Sequence, residues 1–253
     1  MKQFDAKVKT LEVLDRRRLW IVCKGCSPLS EAAPGQFVMF RPKAWDADPL
    51  LGRPLSILGV GGDEAEFLVQ VTGRGTRLLG ELKAGDEVSI LGPVGNPFPL
   101  PKEGTRTALV AGGVGLPPLL MWAERGARAS LKGTHLFYGA ATADDLVLLP
   151  RLQQLARRGL ELTLVTEDGS RGAQGLVVDP LVQLLSETAE TSPLRVFTCG
   201  PKAMMAAVVD ACKRHEVPCW VSLENRMACG RGICLGCALE GLNGEVFLVC
   251  EDN

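Results

Sequence analysis

The sequence predicts a multi-domain β plus α/β chain: an antiparallel β-barrel, then a parallel-sheet layer with helices on its faces, then a small cysteine-bearing module. Three observations carry this. Up to about Pro99, short runs of alternating apolar and polar residues are broken by Gly, Pro or Asp, the pattern of strands joined by tight turns. From there to about residue 216, buried-type strands alternate with helical stretches four times. Cysteines then crowd the last stretch, from Cys229 to Cys250. The expected boundaries are 1–100, 101–216 and 217–253, and a chain of 253 residues that is 46% hydrophobic can fill such cores.

The barrel is expected from "AKVKTLEVL", "RLWIVCK", "GQFVMFR", "LSILGV", "AEFLVQVTG" and "DEVSILG". Half a dozen short strands at this spacing favour closure into a barrel over a helical unit. The clearest piece is "LKAGDEVSILGPVGNPF", where Gly85-Asp86 turns into a strand that is expected to stop at Gly92-Pro93.

The pattern changes after "PLPKEGT", at about residues 99 to 105. "TALVAGG", "GTHLFYGAA", "LELTLVTED" and "LRVFTCG" read as strands. "PPLLMWAERGARA", "PRLQQLARRG", "LVVDPLVQLLSE" and "PKAMMAAVVDACKRHE" read as the helices that follow them. Such alternation places the strands in parallel. From about Val217 the chain is long enough only for a small appended module.

Composition excludes several classes of partner. Lys plus Arg (28) and Asp plus Glu (29) nearly cancel, so no broad positive field is available for nucleic acid or an anionic membrane. The opening "MKQFDAKVKTLEVLD" lacks the apolar core of a secretory signal, which points to the cytoplasm. The longest apolar stretch, "ALVAGGVGLPPLLMWA", is interrupted by glycines and prolines and falls short of the roughly 20 residues that cross a bilayer. Nine cysteines in a reducing compartment suggest metal binding or catalysis rather than a disulfide framework. Five of them, Cys23, Cys26, Cys199, Cys212 and Cys219, are scattered or lie in apolar patterns where an inert buried thiol is usual.

Six motifs carry the chemistry. In "ALVAGGVGLPPLL", a strand runs into Gly112, Gly113 and Gly115 and then a proline-started helix. That suits a dinucleotide-binding turn, or merely a tight strand–helix corner. Cys199, Gly200 and Pro201 end another parallel strand, where a thiol could touch a nicotinamide or simply fill the strand end. Glu167 and Asp168 end a third. Carboxylates there accept a ribose 2′-hydroxyl and repel a 2′-phosphate, favouring NAD over NADP, with a solvated turn as the plain alternative.

In the barrel, Arg53 and Ser56 flank Pro54 and Leu55. Their fork and hydroxyl suit a phosphate or a flavin ring edge, or belong to an ordinary surface strand. Gly73, Gly75 and Thr76 open a short helix whose first N–H groups could face an anion. Cys229, Cys234 and Cys237 have the C-x4-C-x2-C spacing of plant-type two-iron ferredoxins, with Cys250 as the distant fourth ligand. Structural zinc is the alternative, although zinc ribbons use two C-x2-C pairs and the tail has one. Cys23-x2-Cys26 has no second pair at a useful spacing.

Arg53-Pro54-Leu55-Ser56, the Gly73–Thr76 turn, "GPVGNPF", Gly113-x-Gly115-x-x-Pro118 and Cys199-Gly200-Pro201 occur in the order found in the ferredoxin–NADP reductase superfamily. With the C-terminal cysteine motif, the chain resembles the electron-transfer subunits of two-subunit, NAD-dependent dihydroorotate dehydrogenases. The resemblance implies a FAD-binding barrel, an NAD-binding domain and a [2Fe–2S] module. It implies a partner as well, an FMN-containing catalytic subunit of pyrimidine biosynthesis, in a heterotetramer with two copies of each. Carried over by position, Arg53 to Ser56 would contact flavin, Leu68, Val69 and Gln70 would line its next strand, and Gly75-Thr76 would hold its pyrophosphate. Cys229, Cys234, Cys237 and Cys250 would ligate the two irons, with Cys250 closing the cage from a strand.

Two departures stand out. The second flavin strand reads Leu68-Val69-Gln70, where the family often has Arg or aromatic character, and the chain ends at Glu251-Asp252-Asn253, short of the usual Asp-Gly-Pro-aromatic ending. Since flavin exchanges both hydride and single electrons, no acid–base residue is required. His135 and His215 are expected to be structural. The rivals are a small subunit of another NAD(P)H-linked ferredoxin oxidoreductase, a sulfhydrogenase gamma-type subunit, and a non-catalytic zinc-binding interaction module. In the bifurcating ferredoxin–NADP oxidoreductases one cluster cysteine is replaced by aspartate, so four cysteines favour the dihydroorotate system.

Overall fold

Six strands close on themselves at the start of the chain: β1 (Lys2–Val13), β2 (Arg18–Lys24), β3 (Phe37–Pro42), β4 (Arg53–Gly61), β5 (Glu64–Gln70) and β6 (Glu87–Val94). In the computed structural model, which describes residues 1–45, 48–100, 104–126, 131–187 and 193–251, they run β1-β2-β5-β4-β3-β6 around a closed barrel with antiparallel neighbours. Alternation fills the interior: Ile21, Phe40, Ile57, Phe67 and Ile90 are all fully buried, and Phe40 meets Phe67 edge-on at 5.5 Å. β6 does not stop at Gly92-Pro93 as expected. A register shift lets Phe37 pair with Val94, so the ladder continues two residues further. After β5 comes one short helix, α1 (Arg74–Leu79).

The second set of elements is β7 (Arg106–Gly112), α2 (Leu116–Gly126), β8 (Thr134–Ala140), α3 (Leu149–Ala156), β9 (Glu161–Thr166), β10 (Ala173–Gln174), α4 (Val178–Glu187), β11 (Leu194–Cys199), α5 (Lys202–Arg214) and β12 (Cys219–Val221). Its sheet is parallel, in the order β10-β9-β8-β7-β11-β12. The alternation read from the sequence is present. β10 is an addition with no apolar run to announce it, and β12 extends the sheet past residue 216. The expected end of the second helix at residues 127–129, the boundary residues 101–103 and the last two residues, 252–253, lie outside the described part.

The tail carries a small hairpin, β13 (Ala238–Glu240) against β14 (Val246–Leu248), turned at Asn243-Gly244 with Gly244 in the left-handed region at φ 75°. Contacts divide the chain into two units: Met1–Pro97 with Leu223–Asn253, and Phe98–Ser222. The tail therefore packs with the barrel. Phe37 and Met39 of β3 and Leu91 and Val94 of β6 form one buried cluster with Cys237, Val249 and Cys250. Among the described residues no helix is long and apolar enough to cross a membrane.

Candidate cofactor sites

On the barrel, the fold brings two sequence-distant motifs together. Arg53 opens β4, and its Nη1 donates to the carbonyls of Leu51 (2.9 Å) and Gly52 (3.1 Å) while the guanidinium faces the Trp45 ring at 5.5 Å. The same guanidinium lies against Gly75, where a Cβ would stand 2.2 Å from Nε, so the glycine is required by the arginine's position. Thr76 holds the turn: its hydroxyl accepts from the N–H groups of Thr72 (2.9 Å) and Gly73 (3.1 Å) and donates to the Gly73 carbonyl. Its hydroxyl is thereby committed to the loop. Arg74 pairs with Asp48. Leu55, Leu68 and Val69 are buried, Ser56 is half-buried, and Pro54 and Gln70 are exposed. An arginine fork over a Cβ-free turn fits a flavin with its pyrophosphate.

In the parallel sheet, the chain builds outward on one side of β7 through β8, β9 and β10, then crosses to β11 on the other side. The carboxyl ends of β7 and β11 thus flank the point where strand order reverses, the usual ligand crevice of open α/β sheets. Gly112–Gly115 and Cys199–Pro201 meet there. A Cβ on Gly115 would stand 2.2 Å from the Cys199 carbonyl oxygen, and one on Gly112 would stand 2.7 Å from Pro201 Cδ. The Tyr138 hydroxyl donates to the Gly113 carbonyl at 3.3 Å and accepts from the Val147 N–H at 3.2 Å. Cys199 is buried. Glu167 and Asp168 follow β9, separated from β7 by β8, and both are exposed. The Ser170 hydroxyl and N–H hold the Asp168 carboxyl below the usual range. The crevice fits a dinucleotide, with the acidic pair two strands away from the glycine turn.

The four tail cysteines come together as two pairs. Cys237 Sγ and Cys250 Sγ stand 3.4 Å apart, and Cys229 hydrogen-bonds Cys234. Backbone donors point at three of the sulfurs: Gly232 N–H to Cys250 (3.1 Å), Arg231 N–H to Cys229 (3.3 Å) and Gly236 N–H to Cys234 (3.4 Å). Gly230 and Gly232, at φ 63° and 70°, allow that wrapping. Burial opposes ionisation of Cys229, but the N–H groups of Cys234, Arg231 and Ile233 and the Cys234 thiol bring it down to about 7. Burial and the neighbouring Cys237 push Cys250 up to about 11, since two thiols in contact resist becoming two anions without a cation between them. Among the described residues no three such ligands converge on one ion position. Two pairs with N–H donors fit two irons sharing four thiolates.

Cys250 lies in the turn after β14 rather than on a strand, because β14 ends at Leu248 and Glu251 N–H closes onto the Leu248 carbonyl. Cys237 and Cys250 are buried, Cys229 is half-buried and Cys234 is exposed. Cys23 and Cys26 are buried and both thiols are strongly raised, chiefly by burial, as inert side chains are. His135 stacks on Phe137 at 3.9 Å and bonds Thr163 Oγ1 at 2.7 Å, a structural placement. The sequence reading did not single out Trp45, Tyr138 or Met39. Tyr138 and Met39 sit in apolar runs that announce burial and nothing of what the side chain meets, and Trp45 stands alone between Ala44 and Asp46 in a polar stretch.

Comparison with known proteins agrees with this geometry. The model of the oxidoreductase NAD-binding domain matches residues 109–210, and that of the iron-sulfur cluster binding domain of dihydroorotate dehydrogenase B matches residues 224–252. The chain is 36% identical to the dihydroorotate dehydrogenase B (NAD(+)) electron transfer subunit of Clostridium acetobutylicum, over 85% of this chain and 80% of that one. It is 33% identical to the Listeria monocytogenes subunit of the same name, over 100% and 96%. Among solved structures, an NADH-dependent reduced ferredoxin-NADP oxidoreductase studied for flavin-based electron bifurcation superposes with a TM-score of 0.84 at 26% identity, over 98% of this chain and 86% of that one. A Neisseria gonorrhoeae ferredoxin NADP+ reductase with bound FAD and NADP shares the fold, with a TM-score of 0.74 at 15% identity, over 88% and 100%. This chain belongs to the family of dihydroorotate dehydrogenase B (NAD(+)) electron transfer subunits.

Proposed function

We propose that this chain passes electrons, released when an FMN-containing partner subunit oxidises dihydroorotate in pyrimidine biosynthesis, to NAD+ by way of its own [2Fe–2S] cluster and FAD. The observation that carries this is the pairing of Cys229 with Cys234 and of Cys237 with Cys250, with the second pair packed on β3, the strand next to the one that bears Arg53-Pro54-Leu55-Ser56. In that reading residues 1–100 hold FAD, 101–216 hold NAD and 217–253 hold the cluster, in the cytoplasm and in an assembly of two copies of each subunit. Bound there, flavin supplies the exchange between the hydride of nicotinamide and the single electrons of the cluster.

The residues do the holding. Arg53 offers a fork whose orientation is fixed by the Leu51 and Gly52 carbonyls, and Gly75 and Thr76 present a closed turn for the pyrophosphate. Leu68 and Val69 keep the neighbouring strand dry, while Gln70 ends it in solvent. Gly113 and Gly115 let a pyrophosphate approach the β7 backbone, Cys199, Gly200 and Pro201 form the opposite lip, and Glu167 and Asp168 receive ribose hydroxyls. Cys229, Cys234, Cys237 and Cys250 ligate iron, and the N–H groups of Arg231, Gly232 and Gly236 stabilise the thiolates.

The superposition on the bifurcating oxidoreductase supports a second reading, a small subunit of that kind. The test purifies the chain with iron, acid-labile sulfide and flavin quantified, then adds the FMN subunit and follows dihydroorotate-dependent NAD+ reduction. Iron, sulfide and FAD with that activity establish the proposal. The same cofactors without it favour the second reading, and zinc alone would leave an interaction module.

A further inference from the structure

One strand stands between the two sites on the barrel. β3 is hydrogen-bonded to β4, with Met39 opposite Pro54 and Phe37 opposite Ser56, and on its other side to β6. Directly opposed residues share a face of a sheet, and adjacent strands are about 4.8 Å apart. That face of β3 is the one the tail covers. Met39 is buried against Gly230, where a Cβ would stand 2.4 Å from Met39 Cγ, and it shares a core with Cys237 and Cys250. Phe37 lies against Gly95, whose N–H donates to the Cys250 carbonyl at 3.2 Å. Leu91 of β6 also reaches Gly230, at 3.7 Å from the same Cβ position, but β6 does not border β4.

We propose that Met39 is the positioning residue that sets the distance between the cluster loop and the flavin strand, and with it the rate of single-electron passage between them. This rests on the reading of β4 as the flavin strand. Each passage moves one electron between a cluster iron and the flavin. Two electrons and one proton from solvent complete the reduced flavin, which gives a hydride to NAD+, and NADH drives the same steps in reverse. A thioether wedged over a Cβ-free glycine leaves no slack, so removing it lets the loop settle differently.

The test mixes the loaded chain with excess NADH and records flavin bleaching and cluster bleaching as separate phases, alongside the EPR line shape of the reduced cluster. Rates are read from loaded chains, so partial cluster loss lowers an amplitude and not a rate. Met39→Ala is expected to slow the cluster phase severalfold and shift the line shape while the flavin phase is unchanged, and Met39→Leu to restore both. Leu91→Ala, which removes packing from the same glycine without touching the β3–β4 pairing, is expected to leave the cluster phase near wild type. Equal slowing by Met39→Ala and Leu91→Ala, or no slowing by either, overturns the proposal. Failure of the underlying reading is distinct: Arg53→Ala would then retain FAD.

Discussion

Replacing Gly75 by alanine separates the stability of the barrel from its hold on flavin, because the first changes little and the second falls. The added methyl would stand 2.2 Å from Arg53 Nε, 2.4 Å from Nη2 and 2.5 Å from Cζ, so the guanidinium must leave its place. The obstacle is a side-chain end and not backbone, and Gly75 lies in the helix Arg74–Leu79, where alanine is favoured over glycine by about 0.5–1 kcal/mol. That gain offsets part of what the apo barrel loses when the guanidinium leaves the Leu51 and Gly52 carbonyls, so the apo barrel is expected to stay folded with a melting temperature close to wild type. A displaced Arg53 forfeits a charge-assisted contact of about 1.5–3 kcal/mol, which weakens FAD about 10- to 150-fold. Thermal unfolding of the apo chain and fluorescence titration with FAD measure the two effects. Arg53→Ala should weaken FAD similarly, and the double variant should be little worse than either single one, since both remove the same contact. FAD affinity unchanged in Gly75→Ala, or lost only together with the fold, would refute the reasoning.

Gly115→Ala drives a Cβ into the backbone of Cys199 and Gly200, an overpacking of about 1–3 kcal/mol that should lower both the melting temperature and NADH affinity. Gly113→Ala, at φ 53° with open space around it, is expected to cost only about 1–2 kcal/mol of backbone strain; calorimetry and NADH titration rank the pair. His135 is pulled below its ordinary value by burial, with Glu161 opposing and Arg106 reinforcing. The unfolded chain then takes up the proton first, so stability should fall as pH drops through about 6.5, and His135→Gln should flatten that acid limb in denaturant titrations across pH.

The features legible in the sequence were those with a local signature. Cysteine spacing pointed to a cluster because coordination is written in intervals, and strand–helix alternation gave the parallel sheet because periodicity reports burial. Gly112–Gly115 and Cys199–Pro201 were each legible as the end of a strand, whereas the strand order that brings them together at a reversal point was not. What stayed hidden depends on contacts between distant segments. Nothing near Met39 announces Gly230, and nothing near Gly75 announces Arg53, so neither the docking of the tail on β3 and β6 nor the fixed arginine fork could be read from either segment alone. Thr76 reads as a ligand candidate from its place in the motif, whereas its hydroxyl is occupied closing the turn. The two-residue strand at Ala173–Gln174 is too short and too exposed to leave a pattern.

The central claim is that electrons reach NAD+ through the tail cluster. It is tested by replacing Cys250 with alanine in the complex with the FMN subunit, and by following dihydroorotate-dependent NADH formation beside dihydroorotate oxidation by an artificial acceptor. The account predicts that the cluster EPR signal and NADH formation vanish together while oxidation by the artificial acceptor continues. NADH formation that persists at the wild-type rate in the cluster-free complex would contradict it.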